Sequence, residues 1–237
     1  MKDSYDVVIV GGAVIGSAVA YFLTANPDFK GSVLVVERDP TYLKAATSLS
    51  SSSIRVQFSN PVNVKISQFG SEFIRNFGDT MQIANEPKPD LNCHSGGYVF
   101  LAKTEEQVTT LRENNEVQRA CGADVGLWNQ EEIARALPHL TVDDIALGSY
   151  GRSGEGWFNN TGLMYGFKAK ACEQGADYLK DDVVAIGREG NAVTSITLKS
   201  GATIKAGTVV NASGPRAALT AQMAGLDVPV EPRKRTL

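Results

Sequence analysis

The stretch Tyr5–Glu37 leaves this chain few choices of fold. Tyr5-Asp6-Val7-Val8-Ile9-Val10 is rich in β-branched residues and reads as a buried parallel strand. Gly11-Gly12-Ala13-Val14-Ile15-Gly16 follows at once, and Ser17–Leu23 is a good helix former. A second β-branched run, Ser32–Val36, ends on Glu37. Strand, glycine turn, helix, strand and acid in that order form the βαβ unit that binds a dinucleotide. Gly11 lets the chain turn sharply out of the strand, and Gly16 lets the helix lie close on the sheet. Open N–H groups and the positive dipole end at the helix start suit a pyrophosphate. Glu37 comes roughly 20 residues beyond Gly16, where an acid bonds the adenosine ribose hydroxyls. Ala13 stands at the middle glycine of the pattern, and its methyl narrows the approach to the phosphates. The bland alternative is a nucleotide-free α/β crossover. No charge appears between Asp6 and Asp28, yet the paired glycines and β-branched first half argue against a membrane span.

Charge excludes other classes. A net charge of −3 and a pI near 5.5 leave no electrostatic footprint for nucleic acid. The only basic run, Arg233-Lys234-Arg235, is too short to argue from. Cys93, Cys121 and Cys172 share no metal-type spacing, and His94 and His139 stand apart from each other. No metal site is expected, and three reduced thiols suit a cytoplasmic protein. Met1-Lys2-Asp3-Ser4 runs directly into the first strand, so no signal peptide is expected.

After Glu37 the chain does not continue in strand–helix alternation. Ala45–Arg55 is a serine-rich segment that reads equally as a flexible linker or as a polar lining for a cofactor, with Arg55 supplying positive charge. Asn60 and Pro61 predict a helix start. Val62, Ile66, Phe69, Phe73 and Phe77 then fall on one helical face, which predicts a core stripe stopped by Gly78. Thr104–Gln107 is a capping box for a helix with Val108, Leu111 and Val117 inward, and Asn129–Glu132 caps a shorter one. Gly151–Thr161 is a glycine-rich loop with an aromatic pair, leading into a helix over 163–173 closed by Gly175. Strands follow at 183–186 and 192–198, then a hairpin turn into 203–206. Thr208–Asn211 reads as another buried strand, running into the small-residue turn Ala212-Ser213-Gly214-Pro215 and a helix over 216–224. A second backbone-close loop at the carboxyl edge of the sheet, beside the first, suits a long cofactor.

Val8–Ser17, Val36-Glu37-Arg38, Thr47–Arg55 and Val210–Pro215 together resemble the D-amino-acid oxidase-like FAD-dependent oxidoreductases. Glycine oxidase, sarcosine oxidase and dimethylglycine dehydrogenase belong to that family, and the resemblance covers essentially the whole chain. It implies an α/β fold with α+β insertions: a Rossmann-like FAD-binding domain and an interleaved, incomplete mixed-sheet substrate domain. The first takes residues 1–90 and 151–225, with a β-meander near 181–206. The second begins with 91–150 and 226–237. The resemblance further implies that backbone groups of Gly11, Ala13, Val14, Ile15 and Gly16 hold the FAD pyrophosphate. Glu37 holds the ribose, with Arg38 beside it. Thr47, Ser48, Ser51 and Ser52 match the segment along the ribityl chain and flavin, and Val184 matches a backbone contact to adenine. Ala212 and Gly214 match the second dinucleotide loop, and Arg55 a positive position near the flavin.

The serine segment contains no histidine, and the cysteine to which some relatives attach flavin lies beyond this chain, so FAD is expected to be non-covalent. Family members run well past 237 residues, so the chain is expected to be an amino-terminal piece, with the remainder of the substrate domain absent. The activity so implied is oxidation of the CH–NH bond of an amino acid or N-methylated amino acid, with oxygen or a carrier protein as electron acceptor. The other readings are a flavin-binding fragment without activity and an NAD-dependent dehydrogenase.

Overall fold

The structure, a computed structural model, describes residues 2–233; Lys234–Leu237, the end of the segment expected to begin the substrate domain, lie outside the described residues. The chain opens with β1 (Ser4–Val10), α1 (Val14–Ala25), β2 (Val33–Glu37), β3 (Ser53–Ile54), α2 (Pro61–Arg75) and α3 (Phe77–Met81). It continues with β4 (Val99–Ala102), α4 (Glu105–Ala120), β5 (Val125–Trp128), α5 (Gln130–Ala136), β6 (Leu147–Gly151) and β7 (Gly156–Trp157). It ends with α6 (Asn160–Glu173), β8 (Asp177–Lys180), β9 (Val183–Glu189), β10 (Ala192–Leu198), β11 (Thr203–Asn211) and α7 (Ala217–Met223). Two compact units result. One comprises Met1–Ser51, Gly78–Pro89 and Asn160–Leu237, and the other Ser52–Phe77 and Asp90–Asn159.

The first unit is built on a six-stranded sheet of order β8-β2-β1-β11-β10-β9. β8, β2, β1 and β11 run parallel, and β10 and β9 pair antiparallel at one edge. Side chains alternate across the pleat. Val8, Val10, Leu34 and Val36 enter a core with Ile196, Leu198 and Ile204. Val7, Ile9, Val33 and Val35 are buried on the other face. Helix α1 lies on the Ile9 side, and its Tyr21 ring meets Phe167 of α6 at 5.6 Å. Burial on both faces explains why β1 and β2 read as continuous apolar runs.

Within this sheet two strand assignments differ from the sequence expectation. Residues 203–206 and 208–211 form one strand, β11, which pairs with β10 through its first half and with β1 along most of its length. Gly207 does not interrupt it, because a side chain there would crowd Asp6 O at 3.0 Å. β8, with charged residues at both ends and no β-branched residue, carried no strand signal, yet it extends the parallel sheet beyond β2.

The second unit holds an antiparallel sheet of order β4-β6-β5 and the short pair β3–β7. Residues 52–77 and 151–159 cluster here, not with 1–51 as expected, while 226–233 cluster with the first unit. The physical reason is Glu155, only 3% exposed. Its Oε1 accepts from the N–H groups of Val56 at 2.7 Å and Gln57 at 3.1 Å. Its Oε2 accepts from Tyr98 N–H and Gln57 Nε2, each at 3.0 Å. Four accepted bonds are the pattern of an ionised carboxylate satisfied by N–H donors. Gln57 in turn accepts from Ser149 Oγ at 2.6 Å.

Helix α2 starts as expected, with the Asn60 side chain accepting from Val62 N–H at 2.9 Å. The expected stripe is core only at its far end: Phe77 is buried, whereas Val62, Ile66 and Phe69 are each at least 60% exposed, and the buried positions of α2 itself are Val64 and Ser71. The helix ends at Arg75, and Gly78 lies inside α3, where a side chain would meet Pro89 O at 2.7 Å. In α4 the capping box forms, but Asn115 and Gln118 are buried more deeply than Val108, Leu111 and Val117. Asn115 Nδ2 donates to Val125 O at 3.1 Å. Glu155→Gln turns one acceptor into a donor facing N–H groups. It is expected to lower stability by about 1–3 kcal/mol, read as a lower urea midpoint.

Candidate functional site

The carboxyl ends of β1, β2, β8 and β11 open onto one cavity of about 930 Å³ in the first unit. That is the upper end of the range for small-molecule and cofactor sites. β1 and β11 pair in register, Val10 opposite Asn211, and Ala212 N–H donates to Val10 O at 2.9 Å. Gly11 has φ +99°, and its N–H donates to Val36 O at 2.9 Å. A Cβ on Gly11 would lie 2.5 Å from Ala212 O, so the two loops touch through a position that only glycine fits. Behind them a Cβ on Gly16 would lie 1.8 Å from Gly11 O, which explains the close seating of α1.

Ala13 is the N-cap of α1 at φ −70°, ψ −166°, an extended conformation open to any residue. Alanine at the pattern's middle glycine therefore costs no backbone strain. It offers no side-chain cap, and the first turn holds no acid, so this helix start presents N–H groups to the cavity. Ser17 Oγ donates to Gly12 O at 2.7 Å and Tyr178 Oη donates to Ser17 Oγ at 3.1 Å. This buried relay ties the first loop to β8.

Glu37 ends β2 at the cavity wall, where Oε2 accepts from Gly12 N–H and Oε1 from Asp39 N–H, both at 2.8 Å. The serine-rich segment is anchored, which removes the linker reading for its first part. Thr47 Oγ1 accepts from Val14 N–H at 3.4 Å, and Asn160 Nδ2 donates to Thr47 O and, at 3.3 Å, to Ser50 O. The second loop is pinned by its own side chains: Ser213 Oγ donates to Asn211 Oδ1 at 2.7 Å, and Asn211 Nδ2 donates to Ala217 O at 2.8 Å. Gly214 takes φ +56° within it.

Of the residues singled out from sequence, Gly11, Ala13, Val14, Ile15, Glu37, Arg38, Thr47, Ala212 and Gly214 line this cavity together. Gly16 supports it from behind, and Ser48, Ser51 and Val184 do not form its wall. Ser52 and Arg55 belong to the second unit. There the Arg55 guanidinium sits 4.9, 5.9 and 5.6 Å from the ring centroids of Phe58, Tyr98 and Phe100. Sequence reasoning missed Tyr42, Lys44, Lys180 and the Asp182–Arg216 pair, whose closest approach is 3.4 Å. An Asp-Pro pair at 39–40 is the one local signal of a turn after Glu37, and nothing marks 180–182.

A family model described as FAD dependent oxidoreductase matches residues 6–237. The chain belongs to that family. It is 36% identical over 261 residues to FAD-dependent oxidoreductase domain-containing protein 1 of Xenopus laevis, covering 97% of this chain and 52% of that protein. It is 26% identical to the sarcosine oxidase subunit beta of an Arthrobacter species, covering 97% of this chain and 56% of that one. Among solved structures, L-proline dehydrogenase from P. horikoshii superposes with a TM-score of 0.82 at 26% identity, covering 95% of this chain and 57% of that one. The chain thus spans about half the length of the curated relatives it matches.

FAD is the cofactor of this family, and the residues present fit it. The glycine cradle at Gly11 and the start of α1, where Ala13 offers no side-chain cap, border one cavity. Among the described residues lining that cavity none is cysteine or histidine. Among the described residues no group of His, Cys, Asp and Glu is placed to hold a metal, and the three cysteines are free thiols. No helix among the described residues is long and apolar enough to cross a membrane.

Burial pushes the Tyr178 phenol up to about 12 and raises those of Tyr5 and Tyr42. In the folded state each keeps its proton where the unfolded chain loses it at about pH 10. Their contribution is full below pH 10 and declines as pH rises toward 12. Urea unfolding at pH 9 and pH 11 is expected to give the lower midpoint at pH 11, and Tyr178→Phe to shrink the difference.

Proposed function

We propose that this chain is the FAD-binding part of an enzyme that oxidises the CH–NH bond of an amino acid or N-methylated amino acid to an imine. The carrying observation is the contact of Gly11 with Ala212, which makes two backbone-close loops border a single cavity at the carboxyl ends of parallel strands. Backbone groups of Gly11, Ala13, Val14 and Ile15 hold the pyrophosphate at the α1 start, with Gly16 letting the helix approach. Glu37 takes the adenosine ribose hydroxyls with Arg38 alongside, and Ala212 and Gly214 border the nucleotide from the second loop. Val184 contacts adenine through its backbone. Thr47, Ser48 and Ser51 follow the ribityl chain. Residues 1–51, 78–89 and 160–225 form the cofactor domain, and 91–150 begin the substrate domain.

Bound FAD supplies a two-electron acceptor for the C–H bond beside the substrate nitrogen. The chain's own residues bind and orient that group and place N–H donors and positive charge around it. No conventional general base is assigned, because a neutral amine can be oxidised without one. The substrate is a small amine or amino acid, and the electron acceptor is oxygen or a carrier protein. The names of relatives that support this reading are sarcosine oxidase, L-proline dehydrogenase and dimethylglycine dehydrogenase.

Expression of the chain is expected to give a flavin absorption spectrum, with FAD released by denaturation. Bleaching of that spectrum by sarcosine, glycine, dimethylglycine or proline supports the reaction. Bound flavin that no amine reduces would leave a cofactor-binding part without activity, and tight NADH binding without flavin would overturn the proposal. Glu37→Ala is expected to weaken FAD binding by about tenfold or more, measured by quenching of flavin fluorescence.

A further inference from the structure

Residues 42–50 wall the cavity at Tyr42, Lys44, Ala45, Ala46, Thr47 and Ser50, yet they form neither helix nor strand. Tyr42 is buried, but nothing after it in this stretch is, and Leu43 and Leu49 are exposed. Apolar burial therefore does little to hold 43–50 in place. Main-chain turns contribute: Ala45 N–H donates to Tyr42 O at 3.0 Å, Leu49 N–H to Ala45 O at 3.2 Å and Ser50 N–H to Thr47 O at 3.3 Å.

Asn160, the first residue of α6, holds the stretch from outside. Its Nδ2 carries two protons, and it donates to Thr47 O and, at 3.3 Å, to Ser50 O. Asn160 is not itself part of the cavity wall. Its position is fixed by α6, whose Phe167 ring meets Tyr21 at 5.6 Å and Phe22 at 6.1 Å on α1. Tyr165 of the same helix packs edge-on against Tyr42 at 5.9 Å. Helix α6 thus grips both ends of 42–50, through a ring at one end and an amide at the other.

The group so held is Thr47. Its Oγ1 accepts from Val14 N–H, at the start of α1, over a long 3.4 Å. A hydroxyl that accepts keeps its own proton to give. Val14 N–H and the Thr47 hydroxyl are therefore two donors side by side at a helix start, the chemistry that a phosphate oxygen takes.

We propose that Asn160 is a positioning residue for cofactor binding: by holding the Thr47 and Ser50 carbonyls it keeps the Thr47 hydroxyl beside the α1 start, to meet the pyrophosphate there. This rests on the cavity being the FAD site. Asn160 acts through the wall and not on the cofactor.

The test compares wild type with Asn160→Ala and Asn160→Asp in the full chain, freed of flavin and checked for folding by circular dichroism. Alanine removes both donated bonds, and aspartate sets a carboxylate against two carbonyls. FAD affinity, from quenching of flavin fluorescence, is expected to fall about three- to tenfold in Asn160→Ala and further in Asn160→Asp. Trypsin is expected to cut after exposed Lys44 faster in both flavin-free variants, in the same order, with cutting after Lys199 in the β10–β11 turn unchanged. A residue that merely starts α6 gives the opposite order, because aspartate suits a helix start as well as asparagine does. That order in either readout overturns the role. Faster cutting after Lys44 with FAD affinity unchanged also overturns it, since the wall then does not matter to the cofactor. If Asn160→Asp does not fold, Asn160→Ala against wild type decides by the same two readouts. Variants that bind FAD as wild type does overturn this role alone, whereas wild-type protein that binds no FAD overturns the cofactor reading and this role with it.

Discussion

The parallel pairing of β1 with β11 is the constraint on which the cavity depends. These strands lie far apart in sequence and side by side in space, and each ends in a loop of small residues. The loops meet because Gly11 has no Cβ to strike the Ala212 carbonyl. With any other residue at position 11 the second loop must retreat, and the cavity between β2, α1 and the 211–216 turn loses a wall. Gly16 acts one layer behind, letting α1 press on the Gly11 carbonyl. Two missing side chains thus align the start of a helix, the end of a strand and a distant turn.

Polar groups are treated differently in the two units. In the second unit the buried carboxylate of Glu155 is saturated by N–H donors from Val56, Gln57 and Tyr98, and it serves to join segments distant in sequence. In the first unit Ala13 offers no side-chain cap at the α1 start, and the buried Tyr42 hydroxyl has no hydrogen-bond partner. The N–H groups of the α1 start border the cavity, and there a ligand's anionic atoms are expected. Family membership names that ligand as FAD.

Much of the fold was legible because short-range chemistry dictates it. The β-branched runs of β1 and β2, the Asn60 cap with Pro61, and the capping boxes before α4 and α5 each appear in the structure where the residue pattern puts them. The stripe that starts at Val62 was misread in its first three positions, though not at buried Phe77, for an equally physical reason. Helical spacing of Val62, Ile66 and Phe69 shows that they share a face, not that anything covers it, and all three are exposed in the described chain. Periodicity reports the element, whereas burial depends on a neighbour that local sequence does not contain.

The site divides in the same way. The residues of the first loop, Glu37, and the Ala212–Gly214 turn were evident from sequence, because close backbone approach and ribose binding demand specific residue types at specific spacings. The Asp177–Lys180 strand, the grouping of 52–77 with 90–159, and the arrival of Tyr42 beneath Gly12 were settled only in three dimensions. Each depends on pairing between segments far apart along the chain, or on a side chain whose environment is created by such pairing. Sequence by itself determined what this chain's loops are able to hold. Tertiary structure decided which further groups stand around them, because contact between distant segments leaves no periodic trace in either one.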